Sequence, residues 1–153
     1  MPGVAEGANV KVCVYGLWHL GSVTAACLPR YGVDTVGLDD NAETIANLSR
    51  AVPPLHEPGL PELVGEGLTS GKLRFTANAR DAVSDADVVW VAIDTPVNDD
   101  DVADVAFVER AVAANIFPHL KSGAVVLVSS QMPVGSMAGL EQAFAGVANG
   151  RQV

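Results

Sequence analysis

The stretch Val10-Lys11-Val12-Cys13-Val14-Tyr15-Gly16-Leu17-Trp18-His19-Leu20-Gly21 decides how this chain folds. An apolar β-type run leads into Gly16-Leu17-Trp18-His19-Leu20-Gly21, and an Ala-rich stretch with helical character follows. A strand, a glycine turn and a helix in that order place the hexapeptide where a G-x-G-x-x-G turn cradles a dinucleotide pyrophosphate. The first glycine permits the tight turn and the last lets helix pack on strand. The middle glycine, which leaves room for a phosphate, is replaced here by Trp18.

Working outward, Thr35-Val36-Gly37-Leu38 forms a second apolar run that ends at Asp39. An acidic residue about 20 residues beyond the first glycine, at the end of the second strand, is the residue type that binds the adenosine ribose hydroxyls of NAD. Its charge opposes the 2′-phosphate of NADP. Asp39, Asp40 and Asn41 also suit the cap of a following helix, and the two uses are compatible, with Asp39 on the ribose and Asp40 or Asn41 as cap.

Composition narrows the function classes. The chain has 153 residues, 49% hydrophobic and 18% charged, which suits one folded domain and argues against disorder. A net charge of −9 with no basic stripe argues against nucleic acid. Val12 to Pro29 carries no charged side chain, but its glycines and polar residues break it into strand and helix, so no membrane span is expected. Met1 to Asn9 offers no basic, then apolar, leader. Cys13 and Cys27 read as core thiols of a reducing compartment, and a cytoplasmic location is the expectation.

The pattern predicts strands over Lys11–Tyr15, Thr35–Leu38, Leu73–Thr76, Val88–Ile93 and Ala124–Val128. It predicts helices from Leu20 to Tyr31, Asn41 to Ser49, Leu60 to Leu68, Ala79 to Val83, Asp104 to about His119, and Ser136 to Ala148. Such alternation predicts an α/β fold of the Rossmann type, a doubly wound parallel sheet in the order 3-2-1-4-5. The sixth strand of a full dinucleotide fold is missing, so the outer edge of strand five is expected to be open or covered by a partner or a second copy. Residues 1–9 and 149–153 are expected as flexible ends around a domain spanning 10–148.

Further pieces extend the pattern: Gly37-Leu38-Asp39, Glu57-Pro58-Gly59-Leu60, Gly71-Lys72-Leu73-Arg74-Phe75-Thr76, Ala86-Asp87-Val88-Val89, Thr95-Pro96-Val97 and Pro133-Val134-Gly135. With the glycine turn, and in this order, they resemble the N-terminal NAD-binding domain of the UDP-glucose/GDP-mannose dehydrogenases. Other Rossmann dehydrogenases, such as the hydroxyacyl-CoA and 6-phosphogluconate types, lack the Glu-Pro-Gly-Leu element. The resemblance implies NAD as cofactor and a whole enzyme that oxidises the C6 alcohol of a nucleotide sugar to a carboxylate. It implies cofactor contacts from Gly16, Trp18, His19, Leu20, Gly21, Asp39, Thr95, Pro96 and Ser130. The family's catalytic thiol, its Lys and Asn partners and its sugar-binding domain would lie beyond Val153, so this chain alone is expected to turn over no sugar. The chain departs from the family at Trp18 (a glycine), at His19 (a tyrosine) and at Gln131, where a threonine hydroxyl stands near the catalytic water.

Simpler readings stand beside these. Trp18 is a lid stacked on the cofactor, an obstruction, or a surface residue swung outward, and partial occlusion is the simplest picture above a helix N-terminus. His19 suits an ordinary polar helix start better than a catalytic base. Asn98-Asp99-Asp100-Asp101 lacks the glycine and distal glutamate of a calcium loop, and His19, His56 and His119 lack zinc spacing, so no metal is expected. A rival of another class is a stand-alone, non-catalytic module that binds a nucleotide or a protein.

Overall fold

The computed structural model describes residues 9–153. Five parallel strands form one sheet: β1 (Lys11–Tyr15), β2 (Asp34–Leu38), β3 (Leu73–Thr76), β4 (Val88–Val91) and β5 (Val125–Val128). Their order is β3-β2-β1-β4-β5, as the alternation predicted. In register, Tyr15 stands beside Leu38 on one side and Val91 on the other, so the carboxyl ends of the three central strands lie level. Among the described residues, six α-helices cover the sheet: α1 (His19–Cys27), α2 (Ala42–Leu48), α3 (Leu60–Thr69), α4 (Ala79–Val83), α5 (Val105–Asn115) and α6 (Ser136–Ala145).

The two-residue period of β1 sorts the core into two layers. Val12 and Val14 pack with Ala25 and Ala26 of α1, Leu48 of α2 and Val64 of α3. Cys13 and Tyr15 face the other way, into a cluster with Val83 of α4, Val108 and Val112 of α5 and Leu140 of α6. Burial on both faces explains the unbroken apolar runs of β1 and β4.

Side-chain caps fix three helix starts. Asn41 Oδ1 accepts the Glu43 and Thr44 N–H groups (2.9 and 3.2 Å), Asn78 Oδ1 that of Asp81 (3.1 Å) and Asp104 Oδ1 that of Phe107 (3.0 Å). Asn41, rather than Asp40, is thus the α2 cap. The helix expected to reach Tyr31 ends at Cys27, because Pro29 tightens Leu28–Tyr31 into a 3-10 turn. A second such turn, Phe117–His119, replaces the last turn expected after α5. Helix α6 stops at Ala145, three residues short of the expected end.

The expected flexible segment 1–9 lies outside the described residues except for Asn9, whose side chain donates to Asp34. Within 149–153, Arg151 and Gln152 contact earlier residues. Arg151 donates to the carbonyls of Phe117, Leu120, Val147 and Ala148 (2.7–2.9 Å) and lies over the Phe144 ring. Gly123 N–H donates to Gln152 O (2.8 Å). A guanidinium suits this place because carbonyls left over where helical turns end present partial negative charge. Among the described residues β5 is an edge strand, and Val125 and Leu127, on the sheet face opposite Val126 and Val128, are exposed. Among the described residues, no helix is long and apolar enough to cross a membrane.

Candidate functional site: the carboxyl ends of the central strands

Gly16 leaves β1 with φ +93°, and its N–H donates to Leu38 O at the end of β2 (2.9 Å). A Cβ on Gly16 would lie 2.9 Å from the Ile93 backbone, and one on Gly21 only 1.7 Å from the Gly16 carbonyl oxygen. Both glycines are therefore demanded by the way α1 folds back over β1. Trp18, between them, has φ −77° and ψ −139°, outside the helical and extended regions.

The Trp18 indole is 51% exposed, and its carbonyl accepts the N–H (3.1 Å) and the hydroxyl of Ser22. Trp18 supplies no side-chain cap, and the first turn of α1 holds no acidic residue. The opening N–H groups of a helix have no intrahelical acceptor, so this end is suited to an anion. Leu20 lies exposed on the same turn. His19 Nε2 sits 2.6 Å from Glu57 Oε1, which ties the start of α1 to the Glu57-Pro58-Gly59-Leu60 segment.

Asp39 is locked onto this turn. Its Oδ2 accepts the Leu17 N–H (2.8 Å) and its Oδ1 the Asn41 N–H (2.9 Å). Each carboxylate oxygen has a second acceptor site, so Asp39 keeps capacity for further donors. Beside it opens a cleft of about 460 Å³. Gly16, Asp39 and Asp40 line it together with the apolar Ile93, Phe107 and Ala111. Trp18 is not among the residues lining it.

The sequence reading missed Tyr15 and Asn115 and took Asp40 only as a cap. The Tyr15 hydroxyl donates to Asp40 Oδ2 (2.9 Å) and accepts from Asn115 Nδ2 (2.6 Å), which also reaches Asp40 Oδ1 (3.2 Å). Burial pushes the Tyr15 phenol above its ordinary pKa, which keeps it a donor. A phenol closing an otherwise aliphatic strand was the available signal. Asn115, on α5, gave none.

Farther along the rim, Thr95 is 8% exposed and its hydroxyl donates to Gln131 O (2.7 Å). The Ser130 hydroxyl donates to Ile93 O (2.6 Å). These two bonds stitch the loops after β4 and β5 together, while Pro96 and the Gln131 side chain are exposed. The expected candidates thus fall along one rim, with Gly16 to Gly21 and Asp39 at one end and Thr95, Pro96, Ser130 and Gln131 at the other.

Elsewhere the chemistry is inert. Cys13 is buried, and desolvation pushes its thiol up to about 12, the wrong direction for a nucleophile. Cys13 and Cys27 are both free thiols. Among the described residues, no three His, Cys, Asp or Glu side chains gather to hold a metal ion. At the opposite end of the sheet a smaller cavity is ringed by charges, including Lys11, Lys72 and Arg74, but these pair with Asp85, Asp34 and Asp81.

The chain is similar to known proteins. Residues 10–151 match the UDP-glucose/GDP-mannose dehydrogenase family, NAD binding domain. UDP-glucose 6-dehydrogenase of Pseudomonas aeruginosa is 34% identical over 133 residues, 87% of this chain and 29% of that protein. The enzyme of the same name from Rhizobium meliloti is 35% identical over 128 residues, 83% of this chain and 29% of that protein. Among solved structures, a UDP-glucose dehydrogenase from the archaeon Pyrobaculum islandicum superposes with a TM-score of 0.87 at 32% identity, covering 98% of this chain and 35% of that one. The chain thus spans about a third of the length of such relatives or less. A match over nearly the whole chain means that the chain belongs to the UDP-glucose/GDP-mannose dehydrogenase family and corresponds to its NAD-binding domain.

Proposed function

We propose that this chain holds NAD for a dehydrogenase that oxidises the C6 alcohol of a nucleotide sugar. The observation that carries the reading is the Asp39 carboxylate, bonded to the Leu17 N–H and standing at the cleft with acceptor sites to spare. In this reading the pyrophosphate lies over Gly16 to Gly21, against the N–H groups that open α1. The adenosine ribose donates its hydroxyls to Asp39, and the base enters the cleft toward Ile93, Phe107 and Ala111. Thr95, Pro96 and Ser130, at the ends of β4 and β5, border the nicotinamide half, and the Gln131 amide is available to orient a water there. NAD supplies the hydride acceptor. This chain's own groups bind and orient it.

The edge position of β5 and the exposed Val125 and Leu127 support contact there with a partner surface, a second copy included. Calorimetric titration with NAD and NADP tests the cofactor reading. NAD is expected to bind at least about tenfold more tightly, because Asp39 accepts from a 2′-hydroxyl and repels a 2′-phosphate. Equal affinities overturn it.

A further inference from the structure

Helix α1 shows several residues to solvent, yet none of its side chains is Asp, Glu, Lys or Arg. Gly21, Ser22, Ala25 and Ala26 are its buried residues, and the two alanines pack with Val12 and Val14 of β1. Leu20, Thr24 and Cys27 recur at helical spacing along the other side, and the stripe runs on to Tyr31 in the following 3-10 turn. Leu20 is 47% and Tyr31 84% exposed, while Arg30 is taken up by Glu66 of α3 (3.1 Å). A surface helix ordinarily shows solvent a charged stripe, and one that is uncharged all round belongs under a cover.

A second bare surface adjoins the first. In register, Val125 of β5 stands beside Val88 of β4, and Leu127 beside Trp90. Val88 and Trp90 pack against the cluster that holds Ala25 and Ala26, so this is the α1 side of the sheet. Residues of α5 and α6 pack on the other side. Parallel sheets are covered on both faces, whereas Val125 and Leu127 are 56% and 42% exposed.

The two bare surfaces fit each other. β5 lies two strands from β1, which carries α1, so the lateral distance is about 10 Å at about 4.8 Å per strand. Packed helices lie about 8–10 Å apart. The place over β5 therefore has the width of one helix set against α1, and its surroundings call for an apolar one. Helix α1 is itself such a helix. A two-fold axis alongside α1 puts the α1 of each copy over the β5 of the other, an isologous contact that closes at two. Charge agrees with this occupant. The chain carries −9, yet α1, β4 and β5 hold no carboxylate, so two acidic copies meet there without like charges opposed across the contact. An aromatic side chain buries about 150–250 Å², so Tyr31 with Leu20, Val125 and Leu127 gives about 1,000 Å² over both copies, the size of a transient specific interface.

We propose that this chain forms a two-fold homodimer through the outer face of α1 and the α1-side face of β5. The dimer gives the partner contact read at β5 a definite occupant, and it rests on that contact and not on the cofactor reading.

Sedimentation of the 153-residue chain tests it, with reductant present so that the free Cys27 forms no disulfide. A reversible monomer–dimer equilibrium is expected, with Kd on the order of 100 µM. Added salt is expected to tighten it by screening the repulsion between two acidic chains. Tyr31→Glu and Leu127→Asp lie on different elements, and each is expected to weaken association at least about tenfold, because each residue enters the contact twice. Val147→Asp, at an exposed residue beyond α6, is expected to leave association unchanged. Melting curves show that each variant is folded, and Tyr31→Glu, at the more exposed residue, decides the matter if Leu127→Asp does not fold. A chain still monomeric at about 1 mM overturns the dimer, whatever else covers this face. Dissociation by only one of the two substitutions in folded proteins, dissociation by Val147→Asp, or weakening by salt overturns it too. A monomer that binds NAD leaves the cofactor reading standing, and a dimer that fails to bind NAD removes that reading alone.

Discussion

Replacing Asp39 by alanine separates what this carboxylate does for the fold from what it does for the ligand. In the folded chain Asp39 Oδ2 accepts the N–H of Leu17, a fully buried residue at the heart of the glycine turn. Alanine leaves that N–H without its acceptor, which costs about 1–3 kcal/mol. The Asn41 N–H also loses its bond, but it lies at an exposed residue and rehydrates. For a domain of this size each kcal/mol moves the melting temperature by about 2–4 °C, so a loss of about 2 kcal/mol lowers it by about 4–8 °C. Loss of the ribose contact is expected to weaken NAD by roughly tenfold to a hundredfold, about 1–3 kcal/mol. Asp39→Asn keeps an oxygen for the Leu17 N–H but not the charge. It is expected to recover most of the melting temperature while NAD binding stays weak. Differential scanning calorimetry and NAD titration of the three proteins give both readouts. An alanine variant that melts within about 1 °C of the parent, or that binds NAD as the parent does, refutes the reasoning.

Two further expectations follow from the ends of the sheet. Trp18→Gly is expected to tighten NAD binding, because it opens the approach to the N–H groups of α1 where the backbone makes no demand for the indole; unchanged or weaker binding by titration removes the indole from the phosphate path. At the amino-terminal end, Lys72, Lys11 and Lys121 hold the Asp34, Asp85 and Asp87 carboxyls below the usual range, chiefly by direct hydrogen bonds. A carboxyl whose pKa is depressed by folding lends stability above its unfolded value near 4, and that stability is lost as pH falls through the folded value. The melting temperature is therefore expected to stay level from pH 7 to 5 and to drop below about pH 4, with salt reducing the contribution of these exposed pairs; a decline already complete at pH 5 counts against them.

The topology was legible because parallel strands covered on both faces leave uninterrupted apolar runs, and because a glycine turn after the first run has few alternative uses. Asp104, at the expected start of its helix, is the residue that caps it. Local chemistry also explains the misses. Leu28 to Tyr31 keeps a helical composition, and Pro29 tightens it only because the chain must turn into β2. Arg151 looks like part of a polar tail, and its four carbonyl acceptors come together only when the end of α6, the Phe117–His119 turn and the chain end meet in space. A sequence pattern registers neighbours at one, two, three or four residues. It does not register acceptors more than 30 residues away.

The same limit divides the cleft. Asp39 was readable because its spacing from Gly16 is set by one βαβ unit, which fixes where the end of β2 falls relative to the turn. Asp40 shares that spacing, yet its role depends on Tyr15 and on Asn115, which lies on the crossover between β4 and β5. Because Cys13 and Tyr15 share one face of β1, the last side chain of that strand points toward α5, and only there does it meet an amide. A carboxylate that sequence alone assigns to capping is thereby converted into a fixed acceptor at the cleft wall, while Asn41 takes the cap. Changing Asn115 therefore reaches the cleft through Tyr15 and Asp40, and the tie to β1 leaves the turn itself, held by Gly16, Gly21 and Asp39, untouched.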